Sequence, residues 1–216
     1  GSAQALLDAW PTLSPSVSAT LGARLIHARI LALSGHPVGA EMEFASIAEA
    51  NPGSAAAIVA HTSLLNRLGR HEDARRLLES LSTSDDPGVR FARALALEEI
   101  GDPETALDAL SPLLPPKSAD ADVDVLLVAA RLSLLTGRAA NAEAWLNQVV
   151  EVDPARDEAY AILLTLYGPA GPLANERLLL DTVRSMRDAD PQSPTLRLLR
   201  AQESLARRQF DIADRE

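Results

Sequence analysis

Leu132–Pro154, LSLLTGRAANAEAWLNQVVEVDP, decides the fold. An apolar helical run stops at Gly137. Ala142 follows five residues later, Leu146 nine residues after the glycine, and Pro154 closes the stretch at seventeen. Gly35, Ala40, Phe44 and Pro52 keep the same three offsets. Gly69, Ala74 and Leu78 keep the first two, with the proline one residue late at Pro87. Gly101, Ala106 and Leu110 keep them again, before Pro115 and Pro116. The glycines are 34, 32 and 36 residues apart, a period that marks an array of helical repeats.

The frame extends over most of the 216 residues. Five units are predicted at 21–54, 55–86, 87–122, 123–156 and 157–193, with a truncated sixth at 194–216. The first four pair two helices about a Gly-x or Gly-x-Pro break, which suits a helix end followed by a helix start, and the fifth about an irregular Gly168-Pro-Ala-Gly171-Pro172 turn. The predicted first helices begin near Leu21, Ala55, Gly88, Val123, Asp157 and Pro194. The second helices include Pro103–Leu114 and about Leu173 to Asp188, and the last would be Gln209–Glu216. Residues 3–20 read as the remnant helix of a preceding unit and a loop, and Gly1-Ser2 as a cloning scar. Both ends look cut, so the sequence reads as a fragment of a longer protein. No alternating strand pattern occurs anywhere.

Paired helices of this length, with alanines at Ala40, Ala74, Ala106, Ala142 and Ala213 and proline at the exit, resemble tetratricopeptide repeats (TPR). The resemblance runs from about Leu21 to the end. It implies an all-α, right-handed superhelical solenoid of antiparallel helix hairpins, whose concave groove is lined mainly by first helices. The alanines would let paired helices approach, and Phe44, Leu78, Leu110 and Leu146 would pack on the neighbouring unit. The sequence departs from the family in its first helices. Ala28, Thr62, Ala94 and Ala130 stand where it places glycine, and Leu31, Leu65 and Leu97 where it places aromatics. Another type of helical-hairpin solenoid is the alternative.

Composition narrows the function. There is no cysteine, which excludes disulfides and thiolate metal sites but assigns no compartment. No apolar run is long enough for a membrane span. A net charge of −10 argues against nucleic acid, whose phosphates need a basic face. Of the 20 basic residues only Lys117 is lysine, a bias that reads as codon usage in a bacterial genome.

Catalytic and metal chemistry find no support. His27 and His61 lie 34 residues apart at equivalent repeat positions, but no third ligand completes a zinc set, so both read as packing or surface histidines. His71-Glu72-Asp73 lacks the second histidine of a metalloprotease helix. Asp120, Asp122 and Asp124 alternate as a calcium loop begins, but Val125 and Arg131 occupy the glycine and glutamate positions. Carboxylates opening a helix explain the triplet. Phosphate loops, dinucleotide fingerprints and nucleophile elbows are absent. The expectation is no enzyme, no cofactor and no metal.

A surface remains. Placing each first helix by its glycine assigns Arg29, Val59, Ser63, Phe91, Leu95, Leu127 and Arg131 to the groove, with Asn66 and Arg67 at its edge. The row Leu25, Val59, Phe91, Leu127, Ala161 and Leu198 is either apolar groove or inter-unit core. The asparagine-rich basic clamp with which some family members hold a terminal carboxylate is not matched. The leading function is a protein–protein interaction scaffold that takes a peptide or helix in the groove, preferably from the second to the fourth unit, through an apolar anchor and a nearby carboxylate. The alternatives are a structural spacer in a bacterial secretion or polysaccharide-export assembly, or the non-catalytic arm of a modular enzyme. Self-association through Phe210 and Ile212 at the C-terminal end is also expected.

Overall fold

The repeated glycine is where each hairpin turns. Gly35, Gly69, Gly101 and Gly137 have φ of 81°, 72°, 79° and 73°. This is the left-handed region, which glycine enters without a Cβ penalty. The residue after each glycine then donates its N–H back into the finished helix. His36 bonds Leu31, Arg70 bonds Leu65 and Asp102 bonds Leu97, each at 2.9 Å, and Arg138 bonds Ser133 at 2.7 Å. These bonds satisfy carbonyls that a helix end leaves without partners.

A computed structural model describes residues 2–51, 54–114 and 122–213, with side chains through residue 205. The described residues hold thirteen α-helices and no strand. The N-terminal segment forms α1 (Ser2–Ala9) and α2 (Pro15–Ser18). Four hairpins follow: α3 (Leu21–Leu33) with α4 (Pro37–Ala50), α5 (Ala55–Arg67) with α6 (His71–Glu79), α7 (Pro87–Glu99) with α8 (Pro103–Leu110), and α9 (Val123–Leu135) with α10 (Ala139–Val152). A fifth pairs α11 (Asp157–Tyr167) with α12 (Glu176–Ala189), and α13 (Pro194–Ala213) ends the series. The sequence supplies the starts of the helices. Thr20, Ser54, Asp86, Asp122 and Asn175 cap α3, α5, α7, α9 and α12 with side-chain oxygens. Asp122 caps α9 by taking the N–H groups of Asp124 and Val125, while Asp120 lies outside the described residues.

Several expected boundaries move. Residues 15–18 form a helical turn begun by Pro15 rather than a loop. α8 stops at Leu110, and a 3₁₀ turn carries Ser111–Leu113, because Pro112 has no N–H to continue the ladder. α12 starts at Glu176, not Leu173, because the irregular 168–175 turn bonds back to α11, with Leu173 N–H on Leu166 and Asn175 N–H on Tyr167. Gly171 is obligatory there, since a Cβ would stand 2.2 Å from the Leu166 carbonyl oxygen. α13 runs unbroken past Arg207 to Ala213, with no glycine to interrupt it. The side chains of Phe210 and Ile212, on which the self-association expectation rests, lie outside the described residues.

The chain divides into two compact units, Gly1–Ser111 and Pro112–Glu216. In the first, Ala28, Ala40, Phe44, Ile47, Ala57, Ala60 and Leu64 form one core cluster. In the second, Leu126, Leu127, Ala130, Ala142, Leu146 and Val149 join Ala159, Leu163, Leu166 and Tyr167. Ala40, Ala74, Ala106 and Ala142 are all fully buried, as are the small residues Ala28, Thr62, Ala94 and Ala130 of the partner helices. Small side chains on both members of a pair bring their backbones close. The hydroxyl that Thr62 adds is satisfied by the Ile58 carbonyl at 2.8 Å.

Two substitutions test this construction, with a third as control. Ala142→Leu should lower unfolding free energy by about 1–3 kcal/mol through overpacking. Gly101→Ala should cost about 1–2 kcal/mol through left-handed strain, although open space surrounds its Cβ position. Gly22→Ala, on a helix with open space and ordinary φ, should instead stabilise by about 0.4–1 kcal/mol. Urea midpoints with unchanged slopes measure all three, and equal effects of the two glycine changes would refute the turn assignment.

A candidate binding groove in the first unit

Equivalent positions on successive hairpins carry the surface of interest. Arg29 and Ser63 each stand six residues before a repeat glycine, and Leu33 and Arg67 two residues before. Helical spacing puts Arg29 beside Leu33 on α3, and Ser63 beside Arg67 on α5. α3 and α5 pack together, and between them opens a cavity of about 220 Å³. Arg29, Ala32 and Leu33 line one wall, Ala60, Ser63, Leu64 and Arg67 the other, and Phe44 of α4 closes the bottom. The lining is chiefly apolar, and Leu33 is 62 % exposed.

The polar groups at this cavity are committed unequally. Ser63 Oγ donates to Glu99 Oε2 at 2.7 Å, and Asn66 Nδ2 donates to the Glu99 carbonyl at 3.0 Å. These side chains therefore tie α5 to α7. Arg29 and Arg67 are exposed and make no ion pair or hydrogen bond among the described residues. The unit's other arginines are engaged. Arg24, Arg70, Arg75, Arg76 and Arg90 pair with carboxylates, and Arg93 donates to the Leu78 carbonyl.

Of the residues assigned to the groove from sequence, Arg29, Ser63 and Arg67 thus converge, with Asn66 alongside. Val59 and Phe91 are half-buried on α5 and α7, and Leu95 is exposed on α7. Leu127 is not a groove residue. At 2 % exposure it is part of the second unit's core, so a ligand finds no surface on it. Arg131, in the second unit, pairs with Glu158 at 3.2 Å. Leu33 and Phe44 are lining residues that the sequence reading does not select. Leu33 shares its offset with Arg67, so extending the register would find it. Phe44 enters from a second helix, which a first-helix rule cannot reach.

Phe44 also links this cavity to another. Its ring stacks on His61, with centroids 5.3 Å apart and planes at 12°. The equivalent His27 stacks on Trp10 at 4.6 Å. His61 lines a second cavity of about 370 Å³ with Glu41, Leu65, Arg70, Asp73, Arg76 and Leu77. There Arg70 bridges Glu41 at 2.6 Å and Asp73 at 2.7 Å, and Arg76 also pairs with Asp73. The Nε2 of His61 is buried and makes no hydrogen bond among the described residues. Burial chiefly pushes the His61 pKa down, Arg70 adds to this, and Glu41 partly opposes it.

Because the unfolded histidine takes its proton near pH 6.5 and the folded one only at lower pH, this group's stability contribution is complete above pH 6.5. It is lost as pH falls through 6.5 toward the folded value. Denaturant midpoints of the parent should therefore fall more between about pH 7.5 and 5.5 than those of His61→Phe. Parallel pH profiles would show that His61 is not held neutral by burial.

No protein-family model matches this chain, and no curated protein sequence matches it. Solved structures do. The C-terminal part of a TPR repeat-containing protein from Cytophaga hutchinsonii aligns with a TM-score of 0.59 at 14 % identity, over 88 % of this chain and 77 % of that one. YrrB, a TPR protein with an unusual peptide-binding site, aligns with a TM-score of 0.55 at 15 % identity, over 83 % and 91 %. A thermophilic TPR protein of Thermus thermophilus aligns with a TM-score of 0.51 at 20 % identity, over 86 % and 100 %. Together with the glycine turns and buried alanine crossings, these likenesses show that the chain has the tetratricopeptide-repeat fold, an α-solenoid of helix hairpins.

Proposed function

We propose that this protein is an interaction scaffold that holds a peptide segment of its partner in the groove between α3 and α5. The observation that carries this reading is the apolar cavity with two uncommitted guanidinium groups at its rim, in a chain of net charge −10. Its volume of about 220 Å³ is below the roughly 300–1,000 Å³ of small-molecule pockets. It suits one anchoring side chain better than a whole cofactor. Burying such a side chain is worth about 1.5–3 kcal/mol, and the rest of the affinity comes from contacts along the helices. The likeness to YrrB, which has a peptide-binding site, supports the reading. The proposed site lies on the first and second repeats, whereas the sequence expectation is the groove of the second through fourth.

Peptides selected from a random display library against the parent protein provide the test. The double variant Leu33→Asp, Ser63→Trp removes one wall and fills the cavity. Selected peptides should bind it at least about tenfold more weakly, a loss of about 1.4 kcal/mol, while its helical circular dichroism is retained. Undiminished binding would place recognition on another face.

A further inference from the structure

With the groove between α3 and α5 as the binding site, its charge pattern specifies the partner further. Among the described residues of the first unit, carboxylates occupy five of the eight arginines and a backbone carbonyl a sixth, Arg93; the two left open flank a single cavity. Acidic residues outnumber basic ones by 30 to 20 in the whole chain, so internal carboxylates are not scarce. The geometry points to an occupant that brings its own: we infer that the groove recognises an acidic segment in which one apolar side chain lies between two side-chain carboxylates.

Three features fix that class. The guanidiniums lie on opposite walls, Arg29 on α3 and Arg67 on α5, with the apolar cavity between them. Adjacent helix axes stand about 8–10 Å apart, and arginine side chains extend that reach on either side. An extended Glu-x-Leu-x-Glu segment spans about 13 Å between its outer residues, and all three side chains point the same way. Asn66, which a terminal carboxylate would need beside an arginine, already donates to Glu99. Two separated arginines therefore favour two internal side chains over one chain terminus. The Glu99 carboxylate accepts from Ser63, which lines the cavity, and its charge repels acidic ligands, so its removal should act opposite in sign to removal of the arginines.

Fluorescence anisotropy with acetylated, amidated peptides reads this directly. The probes carry a central Leu flanked two residues away on each side by Glu, by Gln or by Lys. A fourth probe has neutral flanks and a free C-terminal carboxylate. The Glu probe should bind about tenfold more tightly than the Gln probe, the return of two solvent-exposed ion pairs. That advantage should shrink as salt rises from about 50 mM to about 300 mM. Arg29→Gln with Arg67→Gln should abolish it and leave the Gln probe unchanged, Arg184→Gln should preserve it, and Glu99→Gln should enlarge it. Equal binding of Glu and Gln probes, tighter binding of the Lys or free-terminus probe, or a Glu preference that survives the double arginine change would overturn the inference. If such binding still disappears in Leu33→Asp, Ser63→Trp, the groove reading stands and only the acidic preference falls. If no probe responds to that variant, both fall.

Discussion

One constraint underlies the rest: in each of the first four hairpins the chain must reverse direction within three residues. A left-handed glycine does this, and the N–H that follows it closes the finished helix. So short a link forces the two helices side by side from their first turn. They fit only if the residues that meet are small, hence the fully buried Ala28 with Ala40, Thr62 with Ala74, Ala94 with Ala106 and Ala130 with Ala142. The larger residues one turn on, Phe44, Leu78, Leu110 and Leu146, are then buried too. Where the turn is different, after α11, its geometry is set by backbone bonds to Leu166 and Tyr167 and by the space that Gly171 leaves open.

The groove is a consequence of the same packing. The crossing residues of α3 and α5 are consumed by their partners, so the positions one turn away carry whatever the surface is to do. In the first unit these are Arg29 and Leu33 against Ser63 and Arg67, and Phe44 closes the gap below them. In α9 the same frame yields a helix buried from Val125 to Ala130, so the offset that leaves Val59 partly exposed buries Leu127. A repeat fixes the backbone position of a residue, whereas exposure depends on the size of its neighbours.

Phe44 makes the second-helix face relevant to the groove. It lines one cavity and stacks on a histidine that lines another, among Glu41, Arg70, Asp73 and Arg76. His61 is held toward its neutral form by burial. A flat, uncharged ring fills this seam without leaving a buried charge uncompensated.

The first four hairpins, their turns and their crossing residues can be read from local sequence alone. Each is a local rule: a glycine that accepts positive φ, a proline that starts a helix, an alanine that leaves room. That Arg29, Ser63 and Arg67 occupy corresponding helical faces was legible for the same reason, because the glycine register fixes those faces. Helix ends at Leu110 and Glu176 were not legible, since a 3₁₀ turn and a long loop compete there with helical periodicity. It takes the packed helices to show that Leu127 is core, that Phe44 belongs to the cavity, and which arginines are paired. Burial and ion pairing depend on residues tens of positions away: Arg70 on Glu41, Arg75 on Asp102, Arg156 on Asp124. No local pattern encodes which carboxylate reaches which guanidinium, so Arg29 and Arg67, the two first-unit guanidiniums without a partner among the described residues, became visible only once the helices were packed.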